Sequence, residues 1–312
     1  MKTTVYRLHG MRVRSEIPLH ERICPIEGDD VVVLLEKPAE PRHRDGTLVA
    51  ELDVGGHTIH QVVREPSGGH VLRATGVCDF EISEDLSVIR CVPDPRANPG
   101  WVPILLRGSV MAVLLDLTGR PSLHASAVAV DGRIIAFAGY SNSGKSTAAA
   151  LLCANGARLV SDDVLAVDID GSAAVCNTGS RELRLRPSAV GLLDEPGWIV
   201  SKRRVADGRL AVRPRSFEED FAQLAAVVFP KPSRSLEEIS VVPIPPTEAV
   251  LPMVSVPRIR GWTDPLVLEQ GLTHAVELAD SVPVFEALMP WGPPWRPSLT
   301  LPLVETVTGV LV

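Results

Sequence analysis

Residues 123–163 read LHASAVAVDGRIIAFAGYSNSGKSTAAALLCANGARLVSDD, and the fold is decided here. The centre, GYSNSGKS at 139–146, fits the pattern G-x-x-x-x-G-K-[ST]. An apolar run at 134–138 precedes it and reads as a buried strand, while 147–154, rich in Ala and Leu, reads as a helix. Strand, glycine-rich turn and helix is the context this motif requires. Upstream, Asp131-Gly132 separates two β-favouring runs at 122–130 and 133–138, a strong two-residue hairpin signal. Downstream, Asn155-Gly156 ends the helix, and 158–161 starts a strand that delivers Asp162 and Asp163 at its carboxyl end.

Each position of the loop has a physical task. Gly139 and Gly144 let backbone N–H groups curl around phosphate oxygens, with Ser141, Asn142 and Ser143 between them. The helix that follows presents unpaired N–H groups and a positive dipole end to the same anion. Lys145 would reach the β- and γ-phosphates, and the Ser146 hydroxyl would ligate magnesium; Thr147 completes the candidate set for ATP and Mg²⁺. A strand–helix–strand crossover makes its two strands parallel, so Asp162 and Asp163 are expected at the same sheet end as the loop. If those strands pair directly, the carboxylates lie close to the metal and γ-phosphate. One can then help hold Mg²⁺ while the other accepts a proton from an attacking hydroxyl. His124, on the strand before the hairpin, is a further candidate, although an isolated histidine is more often a core or surface residue.

Composition narrows the partners. The formal net charge of −7 over 312 residues gives no general attraction to nucleic acid or anionic membrane. Five cysteines, Cys24, Cys78, Cys91, Cys153 and Cys176, show no C-x-x-C spacing, so reduced thiols are expected, without a zinc site or disulfide framework. The opening MKTTVYRLHGMRVRSE lacks the apolar core of a signal peptide, and no apolar stretch approaches the roughly 20 residues of a membrane span. The expectation is a soluble, cytoplasmic protein.

Short strand-favouring runs separated by turn signals fill the first 95 residues or so, for instance at 31–35, 57–63 and 78–82. Alternation in several of them suggests half-buried antiparallel strands. The breaker-rich PDPRANPG at 93–100 marks a domain boundary, giving a β-rich unit at 1–97 and a second domain at 98–312. Residues 102–117 have the apolar spacing of a core-facing helix. Beyond the site, Arg181, Arg184 and Arg186 are candidates to meet phosphate or an acidic peptide, with Arg184 and Arg186 on one strand face. Residues 196–215, polar and Arg-rich, read as a mobile or partner-contacting excursion, and 224–229, 239–244 and 282–288 as further strands. Trp291 and Trp295 in a proline-rich segment suit packing or an extended peptide.

LHASAVAVDGRIIAFAGYSNSGKST, followed by RLVSDDVLAV, resembles the bacterial HPr kinase/phosphorylase superfamily over roughly residues 100–195. The resemblance implies an α/β fold, a P-loop kinase core of HPr-kinase-like type with a mixed sheet, preceded by the small β-rich domain. It places His124 near the transferred phosphoryl group, assigns phosphate and metal binding to Lys145 and Ser146, and makes Asp163 the general base beside Asp162. It also sets 177–187, with its arginines, near the mouth of the site. YRLHGMRVRSEIPLHE is similar to the HPr-kinase-like proteins encoded with lasso peptide maturation enzymes. That similarity implies a serine kinase acting on a precursor peptide, commonly at its C-terminal serine. Thr147 departs from the glutamate usual after Lys-Ser in HPr kinases, and no counterpart of the phosphorylase signature is found, so a one-way kinase is favoured. The alternatives are an HPr-type kinase/phosphorylase, a nucleotide-sensing module without transfer, and an NTPase. The acceptor and the oligomeric state, homo-oligomer included, stay open.

Overall fold

The computed structural model describes residues 3–25, 28–171, 173–194, 197–290, 292 and 300–309. Trp291 and Trp295 lie outside the described residues. The protein is a mixed α/β protein with large mixed sheets. Two compact units divide it, one formed by Met1–Pro121 with Ile259–Gly271 and the other by Ser122–Arg258 with Leu272–Val312.

The first unit is a nine-stranded sheet among the described residues. Strands such as Val31–Leu35, His57–Arg64 and Cys78–Ile82 fall where the sequence expects them. Not all of their pairings are antiparallel: Val31–Leu35 pairs parallel with both Met11–Ser15 and Val88–Pro93. The division also falls after Pro121 rather than at residue 98. The helical stretch Trp101–Leu105, Leu106–Val110 and Met111–Leu117, whose middle turn is a π-helix, belongs with this unit because Arg107 and Glu21 form a buried ion pair at 3.0 Å. Residues 259–271 return to it as well. Glu51 N–H donates to Gly261 C=O, Thr263 N–H to Val49 C=O, and the Trp262 indole N–H to Asp116 at 3.0 Å.

The second unit holds the GYSNSGKS loop. Its sheet runs, in spatial order, Ser122–Leu123, Leu165–Asp170, Ala173–Asn177, Phe221–Ser233, Arg133–Ala138, Ala125–Val130 and Arg158–Ser161; Val284–Pro290 also pairs with Phe221–Ser233, and Ser240–Ile244 with Val284–Pro290. The expected hairpin forms between Ala125–Val130 and Arg133–Ala138, with Asp131 at φ +49° and Gly132 at φ +79°, as a two-residue turn of the primed type needs. The expected strand at 122–130 is split, however: Ser122–Leu123 pairs with Leu165–Asp170, and His124 lies between Ser122–Leu123 and Ala125–Val130. The helix Lys145–Ala154 buries residues 148–153 on an apolar layer with Phe137, Leu159 and Val228. Phe137 is fully buried, and truncating such a side chain costs about 3–5 kcal/mol.

Arg158–Ser161 does not pair with Arg133–Ala138. It pairs antiparallel with Ala125–Val130, which lies between the two, while Arg133–Ala138 takes Phe221–Ser233 as its parallel partner. Two antiparallel steps still leave Arg158–Ser161 running in the direction of Arg133–Ala138. The carboxylates therefore reach the loop end one strand further away. Residues 196–215 include an ordered hairpin, Ile199–Arg204 with Leu210–Pro214, closed against Leu183–Leu185 in a three-stranded sheet. No helix among the described residues is long and apolar enough to cross a membrane. All five cysteines are free, four of them buried.

Candidate functional site

The loop leaves the strand Arg133–Ala138 through Gly139, whose φ is +151°. A Cβ here would lie 2.6 Å from Ser143 Oγ, so only glycine permits this tight return. Asn142 and Gly144 also have positive φ, +74° and +93°, and Gly144 caps the helix. Among the described residues, Ser143 Oγ is buried and lacks a hydrogen-bond partner, an orphaned polar atom inside the loop. Lys145 Nζ donates to Tyr140 C=O at 2.7 Å, folding the ammonium back over the loop. Burial brings the Lys145 pKa down to about 8 against the upward pull of Asp162 and Asp163. An oxyanion in the loop would give Ser143 a partner and Lys145 a charged one in place of the Tyr140 carbonyl.

Asp162 is the hub beneath the loop. One oxygen accepts from Ser146 Oγ at 2.8 Å and from Ser126 Oγ at 2.5 Å; the other accepts from the Arg184 backbone N–H at 3.0 Å. Ser126 sits on the intervening strand Ala125–Val130, so it bridges the gap left by the indirect strand pairing. Ser146 and Asp162 are hard oxygen donors of the kind Mg²⁺ prefers. Among the described residues no three His, Cys, Asp or Glu gather to hold a metal, so phosphate oxygens and water would complete its shell.

Asp163 turns away from Asp162 because its backbone is left-handed, with φ +77°. Its carboxylate meets Arg184 at 2.5 Å, Arg258 at 2.9 Å and His124 Nε2 at 3.4 Å. Burial alone would raise this carboxyl, but Arg258, Arg184 and His124 together hold its pKa well below the ordinary carboxylate range. Burial lowers the His124 pKa, outweighing the hydrogen bond it donates to Asp163, which raises it. His124 is fixed by main-chain bonds on both sides: its N–H donates to Val256 C=O, and its C=O accepts from Gly139 N–H. The Arg258 N–H donates to Ser122 C=O in the same patch.

A cavity of about 100 Å³ joins these groups, lined by His124, Ser141, Asn142, Gly144, Lys145, Ser146, Thr147, Asp162, Asp163, Arg184, Arg186 and Arg209 among others. Arg181 is not brought there; its guanidinium pairs with Glu218 at 3.0 Å and donates to Phe217 C=O. Sequence reading missed Ser126, Arg258, Asp207 and Arg209. Asp207 lies 3.4 Å from Arg184, and burial, then Arg184, depresses the Arg209 pKa. Ser126 carried a signal, since on a strand it shares the alternate-residue face with His124. Arg258 carried none, being 95 positions from Asp163.

No family model matches the chain, and no curated protein matches it. Among solved structures, that of the Hpr(Ser) kinase/phosphatase from Coxiella burnetii is similar at 14% sequence identity and a TM-score of 0.30, covering 61% of this chain and 95% of that chain.

Proposed function

We propose that this site transfers the γ-phosphoryl group of ATP to a serine or threonine hydroxyl of a peptide or small protein, most specifically the C-terminal serine of a lasso precursor peptide. The observation that carries the reading is the division of labour between adjacent carboxylates: Asp162 is bonded to Ser146, and Asp163 faces His124 and the cavity. Ser146 and Asp162 would hold Mg²⁺, which would neutralise phosphate charge. Lys145 leaves Tyr140 C=O for the phosphates. The acceptor oxygen bonds to the γ-phosphorus, the bond to the ADP oxygen breaks, and the hydroxyl proton passes to Asp163.

Arg184 and Arg258 make Asp163 a poor base while they hold it. A γ-phosphate offers both guanidiniums a competing anion, which loosens that hold and lets the carboxyl rise toward a useful basicity. His124 keeps the second oxygen oriented. The same clamp favours a second reading, a nucleotide-sensing module in which Asp163 never becomes basic enough. Mass spectrometry of peptides incubated with ATP and Mg²⁺, including precursors ending in serine, separates the two. A kinase yields a phosphopeptide, and Asp163→Asn abolishes it while nucleotide binding survives. No product from any peptide, or transfer indifferent to Asp163→Asn, would sink the kinase reading.

A further inference from the structure

The three-stranded sheet grows outward from the site. Its inner strand, Leu183–Leu185, carries Arg184, which holds Asp163; Leu210–Pro214 lies in the middle and Ile199–Arg204 outermost. Beyond Ile199–Arg204 no further strand pairs among the described residues, so one edge presents open backbone N–H and C=O groups. The side chains on this edge are unusual for a chain of net charge −7. Arg203 turns inward to Glu182 at 2.7 Å, but Lys202 and Arg204, exposed on the same face, meet no carboxylate among the described residues. Val200 is 66% exposed beside them. The tight turn that follows, closed by Val205 N–H to Arg209 C=O, puts Asp207 against Arg184 and Arg209 into the cavity.

We propose that the open edge of Ile199–Arg204 is a docking strand for an extended acidic segment of the acceptor, which adds to the sheet as a fourth strand. Main-chain hydrogen bonds hold it, Lys202 and Arg204 select carboxylates, and Val200 covers an apolar side chain. The Arg204 end is the one nearest the site, so the reacting hydroxyl leaves the paired segment there. A docked strand lies three strand spacings of about 4.8 Å from Leu183–Leu185, about 14 Å, which about four extended residues span. The acceptor therefore carries its acidic segment about four residues from the hydroxyl. The docking of an acidic strand rests on the edge alone; that this strand belongs to the acceptor, and its spacing from the hydroxyl, rest on the kinase reading.

The test uses a fluorescent peptide of three Glu-Val repeats, four glycines and a serine, and the full-length chain without nucleotide. Fluorescence anisotropy is expected to show binding that weakens with salt and falls about tenfold in a Lys202→Glu, Arg204→Glu double variant whose melting temperature confirms folding. N-methylation of alternate peptide residues abolishes binding, while methylation of the intervening ones does not. No binding, equal affinity in the double variant, or methyl effects without a period of two overturns the docking strand. Adding ATP and Mg²⁺, and varying the glycine spacer, tests the distance, and turnover indifferent to spacer length overturns it. Binding that behaves as expected while no peptide, precursors ending in serine included, is phosphorylated refutes the kinase reading and leaves the docking strand standing.

Discussion

Replacing Asp162 by alanine removes the acceptor shared by Ser126, Ser146 and the Arg184 N–H, all at a side chain only 3% exposed. Hydrogen bonds to a charged group contribute roughly 1.5–3 kcal/mol each, but they are not additive around one hub, and the small cavity can admit water. The expected loss is about 3–5 kcal/mol, the lower part of what three stranded neutral donors at about 1–3 kcal/mol each would cost. Asp162→Asn keeps the volume and fails differently. Its amide nitrogen either faces the Arg184 N–H, donor against donor, or replaces the oxygen that serves both serines, for a cost of about 1–3 kcal/mol. Unfolding of a chain with two units need not be a single step, so the readout is native-state exchange of the amides in Arg158–Ser161, alongside guanidinium unfolding. A loss under about 1 kcal/mol for Asp162→Ala would show that the serines and Arg184 find other partners and that Asp162 is not the hub.

Further outcomes follow from single groups. With Lys145 at about 8, ATP affinity should fall as pH rises through 8, approaching tenfold per unit, because the ammonium that meets phosphate is lost. Calorimetry from pH 7 to 9.5 checks this, and a flat profile, or the same profile in Lys145→Met, refutes it. Gly139→Ala drives a Cβ to 2.6 Å from Ser143 Oγ at φ +151°, which should cost about 1–3 kcal/mol in a thermal melt and weaken nucleotide binding; an unchanged variant would mean the loop relaxes freely. In the first unit, burial and then Arg120 lower the His9 pKa from 6.5 to about 3. Between those values the unfolded chain binds a proton that the folded chain does not, so stability falls as pH drops through that window, by up to about 1.4 kcal/mol per unit. His9→Asn, which tolerates the left-handed backbone and does not titrate, should flatten that slope in denaturant titrations at pH 7 and 5.

The strands of the first unit, the Asp131-Gly132 hairpin and the strand–loop–helix around GYSNSGKS were legible because each rests on local preferences. Glycine's conformational freedom, the primed turn and the periodicity of apolar residues all act within a few positions of the chain. The pairing of Arg158–Ser161 was not legible, since direction along the chain leaves open which strand becomes a neighbour. The domain boundary was misleading for a similar reason: a breaker-rich segment marks a turn, and only packing decides to which unit the following helix belongs.

By itself, then, the sequence determined that a glycine-rich loop stands between a buried strand and a helix, with Lys145 and Ser146 at the helix start and two aspartates one crossover later. Only the tertiary structure decided what those aspartates face. Ser126 reaches Asp162 because its strand inserts between the other two, and Arg258 reaches Asp163 because its segment hydrogen-bonds to residues beside His124. The same long-range packing sent Arg181 to Glu218 and Arg184 to Asp163, a choice that alternation along one strand does not contain. Local sequence sets backbone geometry; the charges that tune the site arrive through contacts that no short window of the chain can encode.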